Sequence, residues 1–455
     1  MTLIKGDLAE RLKRNAQRLQ SDIYKVPKVF EGNSDSWPGD WVGRAILALC
    51  CHYNTSHFVE IKKQLDEIIN SLEDYINEDG YFGPVINFKE VSEQQLSGNS
   101  WYLRGLVEYY KISKDLYILE LIKKVENSLL LKLKEPFLKY EVGDFVIGEV
   151  NGSAKQDLDS WKLSSDIGCA FILMDGITAV YELLPSASLK EIIEILIKKF
   201  LAFNHKNNNY QTHAYLSTLR GILRFANQNN DYLKEVVIKL FDVYLNFGMT
   251  LNYANYNWFG KPFWTETCCV VDSYILAGEL FKISNELKYV TLMNRIYFNG
   301  IRRAQRDNGG AGCDTCLDSD NHLLKVYLYE AEFCCTMRLA EGLSYIGENL
   351  IINDTICLYN SFSNEKVKMV INRKEIKIHP LISLKLYLPL GVEGESKIRE
   401  INKDYFIDIK SLSFHKEYNI TYLGDIIYTR KKDGKYSPIS NMLKEKESIY
   451  ESILD

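Results

Sequence analysis

The sequence predicts a mainly α-helical protein, an (α/α)6 barrel followed by a small C-terminal β-sandwich. Apolar residues recur at helical spacing from about residue 40 to about residue 348. These helical segments come in pairs, and after about residue 350 the pattern changes to short strand-like runs. We therefore expect a catalytic barrel domain over residues 1–348 and a β-sandwich-like accessory domain over residues 349–455.

The paired helices form a coarse repeat: a helix, a short turn rich in Asn, Asp, Lys or Gly, and a second helix. Such hairpins bury their apolar faces only against neighbouring hairpins, so they stack into a solenoid or close into a ring. A count of about six hairpins favours the closed barrel, with a pocket at one end of its inner helices. Clear examples are residues 101–112 with 116–131, 214–225 with 232–247, and 268–281 with 287–298.

The C-terminal part is punctuated by turn residues, for example at 391–394 and 432–434. A small sandwich of this kind could brace the barrel, which we favour, or act as a carbohydrate-binding module. The strand-like segments are residues 350–359, 366–371, 375–378 and 384–388.

Composition and charge narrow the classes of function. The formal net charge of −5 gives no basic surface for nucleic acid and no polybasic patch for a membrane. The first residues lack an apolar signal core, and no run of about eighteen apolar residues appears. We expect a soluble, cytoplasmic protein whose ten cysteines are free thiols or metal ligands rather than disulfides.

The strongest chemical signal is a set of four side chains, Glu266, Cys268, Cys334 and Cys335. Zinc binds cysteine thiolates and carboxylates in tetrahedral sites, and these four complete one shell. Glu266 and Cys268 can reach one ion only from extended backbone or a helix N-terminus, and the adjacent pair needs a similar non-helical bend. The competing interpretation is that paired cysteines are small buried apolar residues, as the pair at 50–51 within the first helix would be.

A second candidate is Cys313-Asp-Thr-Cys316, because two cysteines at this spacing are a common half of a zinc site. No partner pair of the same spacing accompanies it. We therefore favour two loop thiols, or a redox-sensitive pair, over a metal role.

The Glu266-Thr-Cys268 triplet and the Cys334-Cys335 pair resemble the zinc-ligand motif of family-127 glycoside hydrolases, the β-L-arabinofuranosidases and their relatives. Further stretches are similar in the same order, and together they cover most of residues 35–390. They are Trp37-Pro-Gly-Asp-Trp41, Asp79-Gly-Tyr-Phe-Gly83, Gly98-Asn-Ser-Trp-Tyr-Leu-Arg-Gly105 and Thr212-His213-Ala214.

The resemblance implies an (α/α)6 barrel with a β-sandwich behind it, and retaining hydrolysis of a small carbohydrate. It implies that Cys334 attacks the anomeric carbon and forms a thioglycosyl intermediate. It also implies a Zn²⁺ ion held by Glu266, Cys268, Cys334 and Cys335, which keeps the sulfur as a thiolate.

The sequence departs from the family where a glutamate acid/base should precede the triplet: residues 248–260 contain no carboxylate. A retaining hydrolase needs a second protonatable group. No motif chooses among the replacements Asp166, Asp314, Glu330, Glu332, Tyr253 and Tyr256.

Substrate contacts are expected from several polar and aromatic residues. His213 matches the histidine of a family segment, and Asn99 stands where relatives carry a pocket histidine. The cluster at 255–258 either offers amides for sugar hydroxyls and ring faces for C–H groups or packs as a loop between helices, and the sequence favours neither. Our predicted substrate-binding residues are His213, Asn99, Trp101, Tyr256, Asn257 and Trp258.

Three functions compete at this point. The leading one is a retaining glycoside hydrolase with a zinc-bound cysteine nucleophile. The second is a non-hydrolytic zinc–thiolate enzyme, such as a cyclase, on the same barrel. The third is a non-catalytic sugar-binding protein with a structural zinc, because four protein ligands close the shell. The oligomeric state is left open.

Overall fold

The structure is a computed structural model that describes the helical part of the chain almost completely. The described residues are 6–32, 36–142, 155–158, 160–206, 209–227, 230–250, 253–259, 261, 264–315, 329–353 and 355–357, with seven short strands between 366 and 438. Among these residues, no helix combines the length and apolar character needed to cross a membrane.

The described residues contain fifteen α-helices, of which two are single turns. They are α1 (Gly6–Leu19), α2 (Lys28–Glu31), α3 (Asp40–Ser56), α4 (Val59–Asn70), α5 (Glu93–Ser113), α6 (Leu116–Ser128), α7 (Lys134–Lys139), α8 (Leu173–Leu183), α9 (Ala187–Leu201), α10 (Thr212–Ala226), α11 (Asp231–Phe247), α12 (Thr267–Ser284), α13 (Leu287–Ile296), α14 (Arg302–Ala304) and α15 (Cys335–Glu348).

Six of these helices, α3, α5, α8, α10, α12 and α15, form a closed inner ring. Each packs against the next, and α15 packs back against α3. Inner helices are buried almost all round, and glycines let them approach closely. At Gly43 of α3, for example, a Cβ atom would lie 2.3 Å from the backbone nitrogen of Tyr102 in α5. The (α/α)6 barrel is therefore confirmed.

Each inner helix packs against one outer helix. Helices α4, α6, α9, α11 and α13 each follow their inner partner directly in the chain. An outer helix buries one stripe, as α4 does with Ile61, Leu65 and Ile68. The sixth outer position belongs to α1, which packs on α15 from the far end of the sequence. This helix precedes the range in which we predicted helices.

The barrel has two distinct ends. At one end, which we call the front end, the first turns of the inner helices meet, and Asp40, His213 and Cys334 lie around one cavity. At the rear end the last turns meet, with Glu108, Arg224 and neighbouring side chains around another cavity. The functional residues predicted from the sequence fall at the front end.

Short strands complete the front end and the C-terminal region. The sheet β4–β5–β6 is antiparallel and places Glu266 opposite Cys313. In the C-terminal region the described strands form sheets of four, three and two strands, and their packing as a sandwich stays a prediction. The predicted strand 375–378 lies outside the described residues. The strands are β1 (Val91–Ser92), β2 (Lys155–Leu158), β3 (Trp161–Ser164), β4 (Trp264–Glu266), β5 (Gly312–Thr315), β6 (Tyr329–Glu330), β7 (Ile351–Ile352), β8 (Thr355–Ile356), β9 (Lys366–Val370), β10 (Lys385–Tyr387), β11 (Glu393–Gly394), β12 (Phe406–Asp408), β13 (Glu417–Thr421), β14 (Tyr428–Arg430) and β15 (Tyr436–Pro438).

Candidate metal centre

The junction between β4 and α12 places the first two candidate ligands. Glu266 ends β4 and has extended backbone angles, φ −125° and ψ 128°, at the start of α12. Cys268 lies in the first turn of that helix. The side-chain oxygen of Asn255 accepts hydrogen bonds from the Glu266 backbone nitrogen at 3.2 Å and from Thr265 Oγ1 at 2.7 Å. This change from strand to helix turns both ligand side chains toward the barrel axis.

The second pair lies at the start of α15. Cys334 precedes the helix with φ −144° and ψ −66°, and Cys335 is its first helical residue. The backbone nitrogen of Cys334 donates to the Ala331 carbonyl at 3.3 Å, which forms the turn before the helix. Adjacent cysteines within a continuous helix would point in directions about 100° apart. The non-helical bend instead brings both sulfurs to one place.

The four side chains converge on one point. Their candidate ligand atoms all lie within 4.8 Å of one another. The Cys335 sulfur lies 3.7 Å from that of Cys268 and 3.6 Å from that of Cys334. Tetrahedral zinc with Zn–S bonds of about 2.3 Å would place two sulfurs about 3.8 Å apart. The cluster therefore has the donors and the spacing to hold a metal ion of this kind.

Because the cluster is buried, its thiols and its carboxyl group need a nearby positive charge to lose their protons. Burial and neighbouring acidic groups raise the pKa of Cys268 to about 11 and that of Glu266 to about 8. The hydrogen bonds of Cys334 to the other two thiols and its burial raise its pKa well above the usual range. These donors hold their protons at neutral pH unless a cation binds among them, which favours a divalent metal.

Asn257 orients the carboxylate of Glu266. With its amide nitrogen facing the carboxylate, Asn257 donates to Glu266 Oε2 at 2.7 Å and accepts from Trp264 Nε1 at 2.8 Å. Partners of this kind fix the direction of a ligand and support metal affinity. Asn257 also lines the cavity, so it can reach a substrate as predicted.

A cavity of about 310 Å³ opens in front of the cluster. This volume lies at the small end of ligand pockets and suits one sugar ring. Cys334 and Glu266 reach the cavity, whereas Cys268 and Cys335 stand behind it with no exposed surface. The lining residues are Ser36, Trp37, Asp40, Arg44, Ser97, Asp166, Ile172, Gln211, His213, Asn257, Trp258, Trp264, Glu266, Cys313, Tyr329, Phe333 and Cys334.

His213 faces the cavity from the first turn of α10. Its Nδ1 lies 2.9 Å from Asp272 Oδ2, and Asp272 is in turn paired with Arg220 and Arg338. Burial lowers the pKa of His213, but the hydrogen bond and charge of Asp272 outweigh burial and raise it above its usual value. This shift in pKa favours the protonated imidazole, in which Nε2 is the remaining donor.

Two charged residues were missed in the sequence. Asp272 lies one turn after Cys268 in α12, and a carboxylate in an otherwise apolar helix is the signal that could have identified it. Arg44 lies in the apolar helix α3, pairs with Asp40 at 2.7 Å and approaches the Cys268 sulfur at 3.8 Å. A guanidinium beside a thiol favours its thiolate form.

Three predicted substrate-binding residues do not line the cavity. Asn99 bonds the backbone of Phe82 and Gln95, so its amide is used inside the barrel wall. Trp101 is fully buried and stacks behind His213, with ring centroids 5.8 Å apart. Tyr256 is likewise absent from the cavity wall. Asn99, Trp101 and Tyr256 are therefore not part of this cavity wall, and their contacts with a substrate stay predictions.

The other predicted cavity residues are His213, Asn257 and Trp258, and all three line it. Cys313 does so too, and its thiol neighbours that of Cys335. Cys316 lies outside the described residues, so a metal or redox role for this second cysteine pair stays a prediction.

Comparisons with known proteins agree with this fold. No protein-family model matches the sequence, and no curated protein matches it. Among solved structures, a glycoside hydrolase has a TM-score of 0.59 at 10% sequence identity, covering 96% of this chain and 80% of its own. A family-127 β-L-arabinofuranosidase from Geobacillus stearothermophilus T6 has a TM-score of 0.54 at 12% identity, covering 93% of this chain and 77% of its own.

A sugar epimerase from a ruminal bacterium is also similar, with a TM-score of 0.51 at 12% identity over 75% of this chain and 99% of its own. At these identities the similarity establishes the fold. The predicted resemblance to family-127 glycoside hydrolases is thus confirmed at the level of structure, and the site must be interpreted from its own residues.

Proposed function

We propose that this protein is a retaining glycoside hydrolase that uses Cys334 as its nucleophile at a zinc site. The observation that carries the proposal is the unequal exposure of the three clustered thiols. Cys334 is 7% exposed and lines the sugar-sized cavity, whereas Cys268 and Cys335 have no exposed surface. This difference supports Cys334 as the thiol that reacts with a ligand, and Cys268 and Cys335 as thiols that only hold an ion.

Four side chains would bind the ion: Glu266, Cys268, Cys334 and Cys335. Zn²⁺ bound there supplies positive charge that favours the thiolate of Cys334 and makes its sulfur a better leaving group. Asn257 holds the carboxylate of Glu266 in place, and Arg44 adds positive charge beside Cys268.

The reaction divides into two displacements at the anomeric carbon. In the first, the sulfur of Cys334 bonds to that carbon while the glycosidic C–O bond breaks and the departing oxygen takes a proton. In the second, water attacks the same carbon and gives a proton back to the group that protonated the departing oxygen, the C–S bond breaks, and the thiolate is restored. Two inversions retain the configuration of the sugar.

The cavity suits the terminal ring of a neutral glycoside. Its aromatic wall includes Trp37, Trp258 and Trp264, whose faces can pack on sugar C–H groups. Two basic side chains of the wall are ion-paired: Arg44 pairs with Asp40, and His213 pairs with Asp272. By structural similarity to a β-L-arabinofuranosidase, β-L-arabinofuranosides are the first substrates to test.

Covalent trapping tests the nucleophile directly. A haloacetamide-bearing L-arabinofuranose should alkylate Cys334, and mass spectrometry of the digested protein identifies the labelled cysteine. Protection by free L-arabinose is expected at Cys334 but not at Cys51, which faces the rear cavity and serves as the internal control. Equal labelling of both thiols, insensitive to the sugar, would contradict a nucleophilic Cys334.

A competing function is a sugar-binding protein with a structural zinc, which the complete four-ligand shell favours. Metal analysis separates a zinc protein from a metal-free one, with about one zinc per chain expected. Turnover of 4-nitrophenyl β-L-arabinofuranoside by the zinc-loaded protein then separates the enzyme from the binding protein. Zinc without turnover or labelling supports the structural alternative.

A further inference from the structure

The first displacement requires a proton donor, and the front end offers few carboxylic acids for it. Of the four acidic candidates from the sequence, three are held by arginines. Asp314 pairs with Arg306 at 2.8 Å, and both Glu330 and Glu332 pair with Arg18. An ion pair with a guanidinium occupies the carboxylate oxygens that would otherwise meet a ligand. Within the described residues, Asp166 is the remaining one, and it lines the cavity.

Trp258 fixes the position of Asp166. The indole Nε1 donates to Asp166 Oδ1 at 3.3 Å, and the Asp166 backbone nitrogen donates to Ser164 Oγ at 3.2 Å. Asp166 is 7% exposed, and among the described residues no hydrogen bond to its Oδ2 is seen. One oxygen of the carboxyl group is thus anchored, and the other is left for a ligand in the cavity.

The neighbouring residues Asn257 and Trp258 each hold one carboxyl group. Asn257 binds Glu266 of the metal cluster, and Trp258 binds Asp166. The two carboxyl groups therefore have a fixed relation to each other across the wall of one cavity. Such a pair with different surroundings suits different tasks, one as a ligand and one as an acid.

We propose that Asp166 is the general acid/base of this site, in place of the glutamate that the chain lacks before its Glu-x-Cys triplet. This role rests on the proposed glycosidase function. In the first displacement the carboxyl group of Asp166 gives its proton to the glycosidic oxygen as the C–O bond breaks. In the second, its carboxylate takes a proton from the attacking water as the C–S bond breaks, which restores the starting state.

The surroundings of Asp166 support a proton on this group. Burial and the nearby charge of Glu266 raise the pKa of Asp166 to about 7, while the Trp258 hydrogen bond lowers it. A carboxyl group with a raised pKa can hold a proton for a departing oxygen and regain one during the same turnover. The sequence alone left this aspartate among six unranked replacements, whereas the structure directs its carboxyl group to Trp258 and the cavity.

Dependence on the leaving group tests the role. Asp166→Asn should lower the hydrolysis of methyl β-L-arabinofuranoside, whose leaving group needs a proton, by about 10²–10⁴-fold. The first displacement with the 2,4-dinitrophenyl glycoside needs no proton, so its burst of dinitrophenol should persist in the variant. Added azide, a nucleophile that needs no base, should accelerate steady-state turnover of this aryl glycoside in the variant and yield the glycosyl azide.

The matched control is Asp314→Asn, which makes the same chemical change at an ion-paired aspartate and should leave both rates close to those of the unmodified protein. Zinc content and unfolding midpoint confirm that each variant is folded. An equal loss on both glycosides, with no effect of azide, would overturn the role of Asp166 alone. If the unmodified protein cleaves neither glycoside and Cys334 is not labelled, the glycosidase function fails and the role of Asp166 falls with it.

Discussion

Both ends of the barrel contain a cavity and buried ionisable groups, but the two ends differ in how far those groups are paired with groups of opposite charge. At the rear end, Arg104 and Arg224 share the buried carboxylate of Asp175, and Arg220 binds Glu341. At the front end, no salt bridge to Glu266 is seen within the described part of the chain, and the cation near Cys268 is Arg44, at 3.8 Å from its sulfur, which is already paired with Asp40. Buried charges that compensate each other maintain a fold, whereas donors that converge without compensation mark a place for an ion.

The two adjacent-cysteine pairs give the same lesson on a smaller scale. Cys50 and Cys51 lie inside α3, where successive side chains diverge, and Cys51 faces the rear cavity while Cys50 is fully buried. Cys334 and Cys335 straddle the start of α15, and their sulfurs lie 3.6 Å apart. The local backbone conformation, and not the Cys–Cys sequence, brings the two sulfurs to one place.

The largest expected effect separates the two pairs. Cys334→Ala should lower turnover of the aryl arabinofuranoside by at least about 10³-fold, because the nucleophile is removed. Cys51→Ala should leave the rate close to that of the unmodified protein, because its sulfur faces the other cavity. Initial rates on zinc-loaded proteins measure both, and a similar loss in the two variants would show that the front thiol has no special role.

The next largest effect is expected from removing one of the arginines that pair with a buried carboxylate at the rear end. Arg224→Met should lower the free energy of unfolding by about 3 kcal/mol, because it leaves the buried Asp175 with fewer partners. Urea titration measures the change, and zinc content should stay the same. Lys234→Met, at an exposed ion pair with Asp231, is the control and should cost less than about 1 kcal/mol. Loss of zinc in the Arg224 variant would contradict a role for this ion pair in folding alone.

A smaller effect is expected from the support of the metal ligand. Asn257→Ala removes the amide that holds Glu266 Oε2, and zinc affinity should fall by about 10–100-fold. Competition with a chromophoric chelator measures this affinity. Asn246→Ala, at an amide that only bonds a carbonyl of its own exposed helix, should leave affinity unchanged.

The smallest effect concerns pH. Because Asp272 raises the pKa of His213, the stabilisation from this ion pair is complete below the ordinary histidine pKa of about 6.5 and is lost as pH rises through the raised pKa. His213→Gln should therefore destabilise the protein most at low pH within this window and least above it. His205, which burial keeps neutral with a pKa of about 3, is the control, and His205→Gln should show a constant cost over that pH rise. Parallel curves for the two variants would rule out a charged His213.

Much of the architecture could be predicted because helical periodicity is a local property. Five of the six helix pairs lie within the range predicted as helical, and the predicted hairpin at 268–281 and 287–298 corresponds to α12 and α13. The four clustered side chains were equally accessible from the sequence, since zinc chemistry restricts the residue types of a candidate site and the helix starts restrict their spacing. The conformations expected at Glu266 and Cys334 are present.

Other features depend on contacts between distant parts of the chain. The sixth outer helix, α1, meets α15 only when the ring closes, and no local pattern indicates that partner. Asp166 and Trp258 are 92 residues apart, so their hydrogen bond cannot be inferred from spacing. The same holds for His213 and Asp272, which lie on neighbouring inner helices.

The sequence by itself determined the helical repeat, the four candidate ligands and the lack of a glutamate before the triplet. Helical periodicity, the chemistry of each residue type and the lack of a carboxylate in a given segment can all be read along the chain. The tertiary structure decided which thiol of the cluster lines the cavity and which of the acid/base candidates lies in the cavity wall. It also decided which of the predicted sugar-binding residues lie behind that wall. Exposure and proximity are set by how the ring closes, because closure buries one side chain and exposes its neighbour whatever their order in the chain.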